Sequence, residues 1–134
     1  MELTPLDSKI ILENSRVLLL PFESERKSEL KKIIFNHGIW RYMGMNIETE
    51  SDFKQYVHDT LELKKKGACY PFIIVDKQTN EVAGSTRFRN INQKSEKHEI
   101  GWTWYGAQFQ GTGLNKATKY ELLNFGFETL GFRR

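Results

Sequence analysis

An α/β fold of the α+β kind, a mixed, mainly antiparallel sheet flanked by helices, is predicted by three features of the sequence. Short runs rich in β-branched and aromatic residues are bounded by turn chemistry. Longer segments repeat their apolar residues at helical spacing, and a glycine-rich turn joins the last strand to the last helix. The 134 residues, 39% hydrophobic and 28% charged, make one domain with no linker, repeat or low-complexity tract. At that length about 65–70% of the unfolded surface is buried on folding, so a core forms without disulfides or metal. Multidomain, collagen-like and disordered architectures are excluded.

Arg16 to Phe22 reads as a strand closed by Pro21, with Ile10 to Leu12 extending it backward or forming a hairpin arm. From Ser24, a suitable N-cap, the residues Leu30, Ile33, Ile34 and His37 fall at i, i+3, i+4 and i+7 and predict one amphipathic helix. His37 to Met45, flanked by glycines and dense in large apolar groups, is expected to be an irregular connection over a cleft. Thr49 and Asp52 stand at capping-box spacing. Phe53, Val57 and Leu61 then mark one face of a second helix that reaches Lys66 and is ended by Gly67.

Tyr70 to Val75 and Val82 to Ile91 predict a hairpin about the turn Asp76 to Asn80. Asn92 to Lys97 is polar and loop-like. His98 to Tyr105 is a further strand, on which alternation places Ile100, Trp102 and Trp104 on one face. After Gly111 and Gly113 the period changes: Leu114, Ala117, Tyr120, Leu123, Phe127 and Leu130 predict a long helix ended by Gly131.

Twenty Lys plus Arg against seventeen Asp plus Glu give a net charge of +3 with the signs interleaved, too mild a bias for a nucleic-acid partner. The N-terminus lacks the basic-then-apolar layout of a secretory signal, and no run approaches the roughly 18 apolar residues of a membrane span. A cytoplasmic protein without membrane association is expected. The single cysteine, Cys69, lies in an apolar run as a buried thiol, and one cysteine with three scattered histidines cannot assemble a zinc set, so no metal is expected.

The informative segment is Gln108-Phe109-Gln110-Gly111-Thr112-Gly113-Leu114-Asn115, between strand and helix. A glycine-rich turn at a helix start aims several backbone N–H groups outward, and the helix dipole adds partial positive charge, so such a turn holds phosphate. The bland reading is a tight strand-to-helix turn and nothing more. Gly113 is followed by Leu114 and Asn115 rather than the Lys and hydroxyl of a P-loop, and no Gly-x-Gly-x-x-Gly is present, which weakens the triphosphatase and dehydrogenase readings.

In this segment the sequence resembles the GNAT superfamily of acyl-CoA-dependent N-acetyltransferases. Gln108-x-x-Gly111-x-Gly113 matches the acetyl-CoA signature Gln/Arg-x-x-Gly-x-Gly/Ala, and the order of elements agrees across nearly the whole chain. Glu99 to Trp104 and Leu12 to Leu19 are similar to the strand before the signature and the opening strand in the branch that includes ribosomal-protein N-terminal acetyltransferases.

The resemblance implies a GNAT-like fold and transfer of acetyl from acetyl-CoA to a primary amine, on a peptide N-terminus or a small molecule. Gln108 belongs to the signature, and backbone N–H groups from Gln110 through Gly111, Thr112, Gly113 and Leu114 to Asn115 would bind the pyrophosphate. Main-chain groups of Trp102, Thr103 and Trp104 would lie along the pantetheine arm. Lys116 and Lys119 either meet the nucleotide's outer phosphate or form a solvated helix face. Glu99 is the candidate base for the amine proton, the rival being a structural carboxylate paired with Arg87 or Arg89. Trp40, Tyr42 and Arg87 are acceptor-side candidates that serve equally as core or surface.

GNAT domains continue past the long helix with a fifth strand, a further helix and two more strands. The 134 residues are expected to end where that fifth strand begins, leaving the Trp102 to Tyr105 strand with an open edge. A second hypothesis follows: a non-catalytic GNAT-like module that self-associates or exchanges strands through that edge, as a homo-oligomer, and binds CoA without turnover. The identity of the acceptor is not written in these residues.

Overall fold

The computed structural model describes residues 10–35, 37–40, 47–67, 69–92 and 97–128. Its sheet has five strands: β1 (Leu12–Glu13), β2 (Val17–Pro21), β3 (Cys69–Asp76), β4 (Glu81–Asn92) and β5 (Lys97–Tyr105). They lie side by side in sequence order, each antiparallel to the next. Leu12 faces Leu19, so the segment before β2 is the arm of a hairpin, one of the two forms the sequence allows. The central strand β3 is buried along its entire length, which is why its sequence Tyr-Pro-Phe-Ile-Ile-Val runs without polar alternation. Pro71 is tolerated there because it stands just past the last paired position of β2, Pro21 opposite Phe72, where its carbonyl accepts the Phe22 N–H and no ladder donor is asked of it.

Helices cover both faces. On one side α4 (Leu114–Glu128) packs over Val17, Leu19, Phe72, Ile74 and Phe88. On the other, a 3-10 helix (Glu25–Leu30), α1 (Lys31–Ile34), α2 (His37–Trp40) and α3 (Glu50–Lys65) enclose Ile73, Val75, Val82 and Trp104. The predicted first helix is thus broken. Ser24 does cap it, accepting from the Arg26 N–H, but the chain leaves helical geometry at Phe35 (φ −84°, ψ 54°) and restarts at His37. His37 to Trp40, expected to be irregular, is that restarted turn; 41–46 lie outside the described residues.

The capping box of α3 forms as the spacing predicts: Thr49 accepts from the Asp52 N–H, and Asp52 accepts from the Thr49 N–H. Gly67 ends the helix with φ +77°, and Asn80 takes φ 57° in the β3–β4 turn. On α4 the phase differs from the reading. Leu114, Thr118 and Leu122 are fully buried, whereas Tyr120 and Leu123 are exposed, so the stripe runs i, i+4, i+8. A threonine occupies its middle, with the hydroxyl donating to the Leu114 carbonyl at 2.9 Å, which made the true face look polar.

β5 departs further from ideal alternation. Arg87 faces Gly101 and Ser85 faces Trp104, so Thr86 alone opposes both Trp102 and Thr103: a β-bulge. The Thr86 and Thr103 hydroxyls meet across it at 2.8 Å. One extra residue reverses the facing of everything beyond it. Ile100 therefore packs on the α4 side, while Trp104 packs on the α3 side and donates its indole N–H to the Tyr56 hydroxyl at 3.0 Å, so the expectation that they share a face is corrected. Close by, the chain must be glycine at 84, since a Cβ there would stand 1.9 Å from the Trp104 carbonyl oxygen.

Candidate functional site

Beyond β5 no strand follows among the described residues, so this strand presents one open edge, and its last residue leads directly into the glycine segment. Gly106 donates to the Ala83 carbonyl at 2.8 Å, anchoring the turn to β4. Residues Ala107–Phe109 form one 3-10 turn, in which the Phe109 side chain is buried and the Gln110 N–H is bonded to the Ala107 carbonyl at 3.3 Å. The Gln110 N–H, expected in the outward-facing set, is therefore already used. Among the described residues, no protein acceptor engages the backbone N–H groups of Gly111 through Lys116. That is the donor array of a helix N-terminus, with the dipole of a 15-residue helix behind it.

Gly111 and Gly113 hold φ +74° and +85°, conformations that favour glycine, and a Cβ on either would meet nothing within 4 Å. Their positive φ serves the turn, and the space beside both is open. Thr112 folds its hydroxyl back onto the Phe109 carbonyl at 2.7 Å. The Leu114 side chain is fully buried and fixes the first turn of α4 against the sheet. Asn115 accepts from the Tyr105 hydroxyl at 2.9 Å, and the Gln110 amide donates to the Tyr105 carbonyl at 3.1 Å. Gln108 is exposed, its amide oxygen near Gly106.

Burial pushes the Tyr105 phenol up to about 12. In the unfolded chain the phenol titrates near about 10. Above that pH the unfolded state has released a proton that the folded state still holds, so stability is whole below about pH 10 and falls by about 1.4 kcal/mol per pH unit up to about pH 12. Urea unfolding between pH 9 and pH 11 is expected to show this slope in the wild type and a shallower one in Tyr105→Phe, where the Tyr70 phenol, also pushed up by burial, still contributes.

Beside the loop lies a cavity of about 380 Å3 lined by Asn14, Ser15, Arg16, Gly113, Lys116 and Tyr120. Lys116 thus faces space that adjoins the glycine turn, whereas Lys119 is exposed and does not line that cavity. Arg16 is held by an ion pair with Asp76.

The remaining candidates separate. The Glu99 backbone stands opposite Arg89 in the β4–β5 ladder, three positions before the bulge opens at Trp102, so it lies on the open edge strand that carries Trp102 to Trp104. Trp40 is 1% exposed: its ring packs at a tilt against Trp104 and Tyr56, with centroids 5.4 and 5.9 Å away, and its indole N–H donates to the Ile34 carbonyl. Arg87 is 3% exposed, with its guanidinium on the Thr60 hydroxyl and the Cys69 sulfur. Both side chains are engaged in packing, the core alternative that the sequence leaves open for them. Tyr42 lies outside the described residues. Cys69 is buried as expected, and desolvation pushes its thiol up. The bulge and the Tyr105 hydroxyl are what the sequence reading missed; of the two, only the bulge left a trace, in the glycines 84 and 101 that stand on either side of it.

The sequence pattern of the acetyltransferase (GNAT) domain matches residues 16–134, and the chain belongs to that family. A curated relative, the uncharacterized N-acetyltransferase p20 of Bacillus licheniformis, is 27% identical over 124 residues, covering 92% of this chain and 69% of the relative. Among solved structures, a GCN5-related N-acetyltransferase from Brucella melitensis superposes with a TM-score of 0.80 at 19% identity, over 96% of this chain and 59% of that one. RimL, a ribosomal L7/L12 alpha-N-protein acetyltransferase, superposes at 0.74 with 20% identity, over 94% and 68%. The mixed sheet-and-helix fold is thus the GNAT fold, and the chain spans 59% of the length of the Brucella protein.

Proposed function

We propose that the chain is the cofactor-binding part of an acetyl-CoA-dependent N-acetyltransferase domain that acetylates a primary amine, on a peptide N-terminus or a small molecule, within a ternary complex. The observation that carries this reading is the unengaged N–H array of Gly111 to Lys116 at the end of an open edge strand. Phosphate oxygens of CoA satisfy such donors, and an extended pantetheine amide chain pairs with strand backbone at Trp102 to Trp104.

The chemistry asks for few groups. The amine must be uncharged to attack the thioester carbon; the tetrahedral oxyanion then expels the CoA thiolate, which takes a proton as the amide forms. Glu99 accepts the amine proton, through water, from its place on β5. Spectrophotometric detection of thiol release from acetyl-CoA with a panel of primary amines tests this reading. Glu99→Gln is expected to lower kcat about a hundredfold and to remove the acid limb of the pH profile while leaving CoA affinity in place. If the variant turns over like the wild type, Glu99 is structural. If the folded protein binds CoA but acetylates no amine, and light scattering finds an oligomer, the non-catalytic module is the better reading.

A further inference from the structure

On the reading above, the proposed cofactor path has two halves: the open edge of β5 and the N-terminus of α4. We propose that Tyr105 is a positioning residue that fixes these halves relative to each other, with Asn115 as its partner. Tyr105 is the last residue of β5 and is paired with Gly84 on β4. It grips the intervening loop with both its main chain and its side chain: the carbonyl accepts from the Gln110 amide, and the hydroxyl donates to Asn115 ten residues on. Its ring sits in the core with Phe109, Leu114 and Leu122, so the hydroxyl is aimed by packing rather than left to rotate.

A turn containing two glycines at positive φ has little stiffness of its own. α4 is tied to the sheet a second time, since the Asn14 amide donates to the Ala117 carbonyl and to Glu121 at 3.2 Å each. That tie comes from the β1–β2 turn, however; at the helix start the buried Leu114 sets the first turn on the sheet, and the Tyr105–Asn115 bond is the polar link between β5 and that turn. A phenol that stays protonated suits the task, because it remains a donor throughout the range in which the protein works.

The test separates ligands that span both halves from ligands that occupy one. Calorimetry with Tyr105→Phe is expected to give CoA a Kd about tenfold higher than wild type, while adenosine 3′,5′-bisphosphate, which reaches only the helix end, stays within about twofold. Asn115→Ala, an exposed site that keeps its backbone N–H, is expected to do the same. The double variant should be no worse than Tyr105→Phe alone, because that substitution already removes the hydroxyl's bond to Asn115 along with its contact with Thr118. Circular dichroism confirms that each sample is folded. Equal loss for both ligands, additive losses, or a CoA Kd unchanged in both single variants overturns the proposal. If wild type itself fails to bind CoA, the functional reading falls and this inference falls with it; wild-type binding with unaltered variants overturns the inference alone.

Discussion

Gly84→Ala is expected to destabilise the protein by about 3 kcal/mol or more, since Gly84 has the closest Cβ approach of the described glycines. The added Cβ would stand 1.9 Å from the Trp104 carbonyl oxygen and 2.9 Å from the Tyr105 Cα, and those atoms belong to backbone that cannot rotate away. Relief requires β4 and β5 to part where Ser85 faces Trp104, next to the bulge. The cost therefore includes lost ladder bonds as well as the clash. Gly67→Ala is the control: its Cβ meets nothing within 4 Å, and only the φ of +77° penalises it, by about 1 kcal/mol. Urea unfolding of the two variants, compared by midpoint at unchanged slope, measures the difference. Similar midpoints would mean that the strands at the bulge are not closely opposed.

Gly113→Asn is expected to have the opposite signature, a small stability change with a large functional one. Asparagine tolerates positive φ better than other side chains, and the protein offers its Cβ open space, so the folded state loses about 1 kcal/mol at most. The side chain would, however, add bulk to the turn whose N–H groups, Gly111 to Lys116, an anion has to approach to about 3 Å. CoA affinity is expected to fall at least a hundredfold, with thermal unfolding nearly unchanged. If glycine is there only to make the turn, affinity stays as it was. The open space on the protein side is what makes the two readings separable, because no packing requirement clouds the substitution.

The parts of this architecture that were readable in the sequence are those whose cause is local. The capping box at Thr49 and Asp52, the hairpin about Asp76 to Asn80 and the glycine segment before Leu114 each follow from residue types a few positions apart. The broken first helix was hidden because Leu30, Ile33 and Ile34 keep helical spacing whether the turns are 3-10 or α. On α4 the exposed Tyr120 and Leu123 looked like core, and the buried Thr118 looked like surface, since its polarity is satisfied within its own helix. At the candidate site the signature was legible, but its geometry was not. The bulge at Trp102 and Thr103 is set by the register with β4, and that register is a long-range property. The same holds for Trp40 and Arg87, whose side chains are claimed by Ile34, Thr60 and Cys69.

The central claim is that the N–H array at the start of α4 is a CoA phosphate site. Calorimetric titration of CoA into the folded protein tests it most directly. Saturable one-to-one binding that weakens with added salt and disappears in Gly113→Asn is the predicted result. A folded sample that gives no heat with CoA, or a Gly113→Asn variant that binds it as tightly as wild type, would contradict the account.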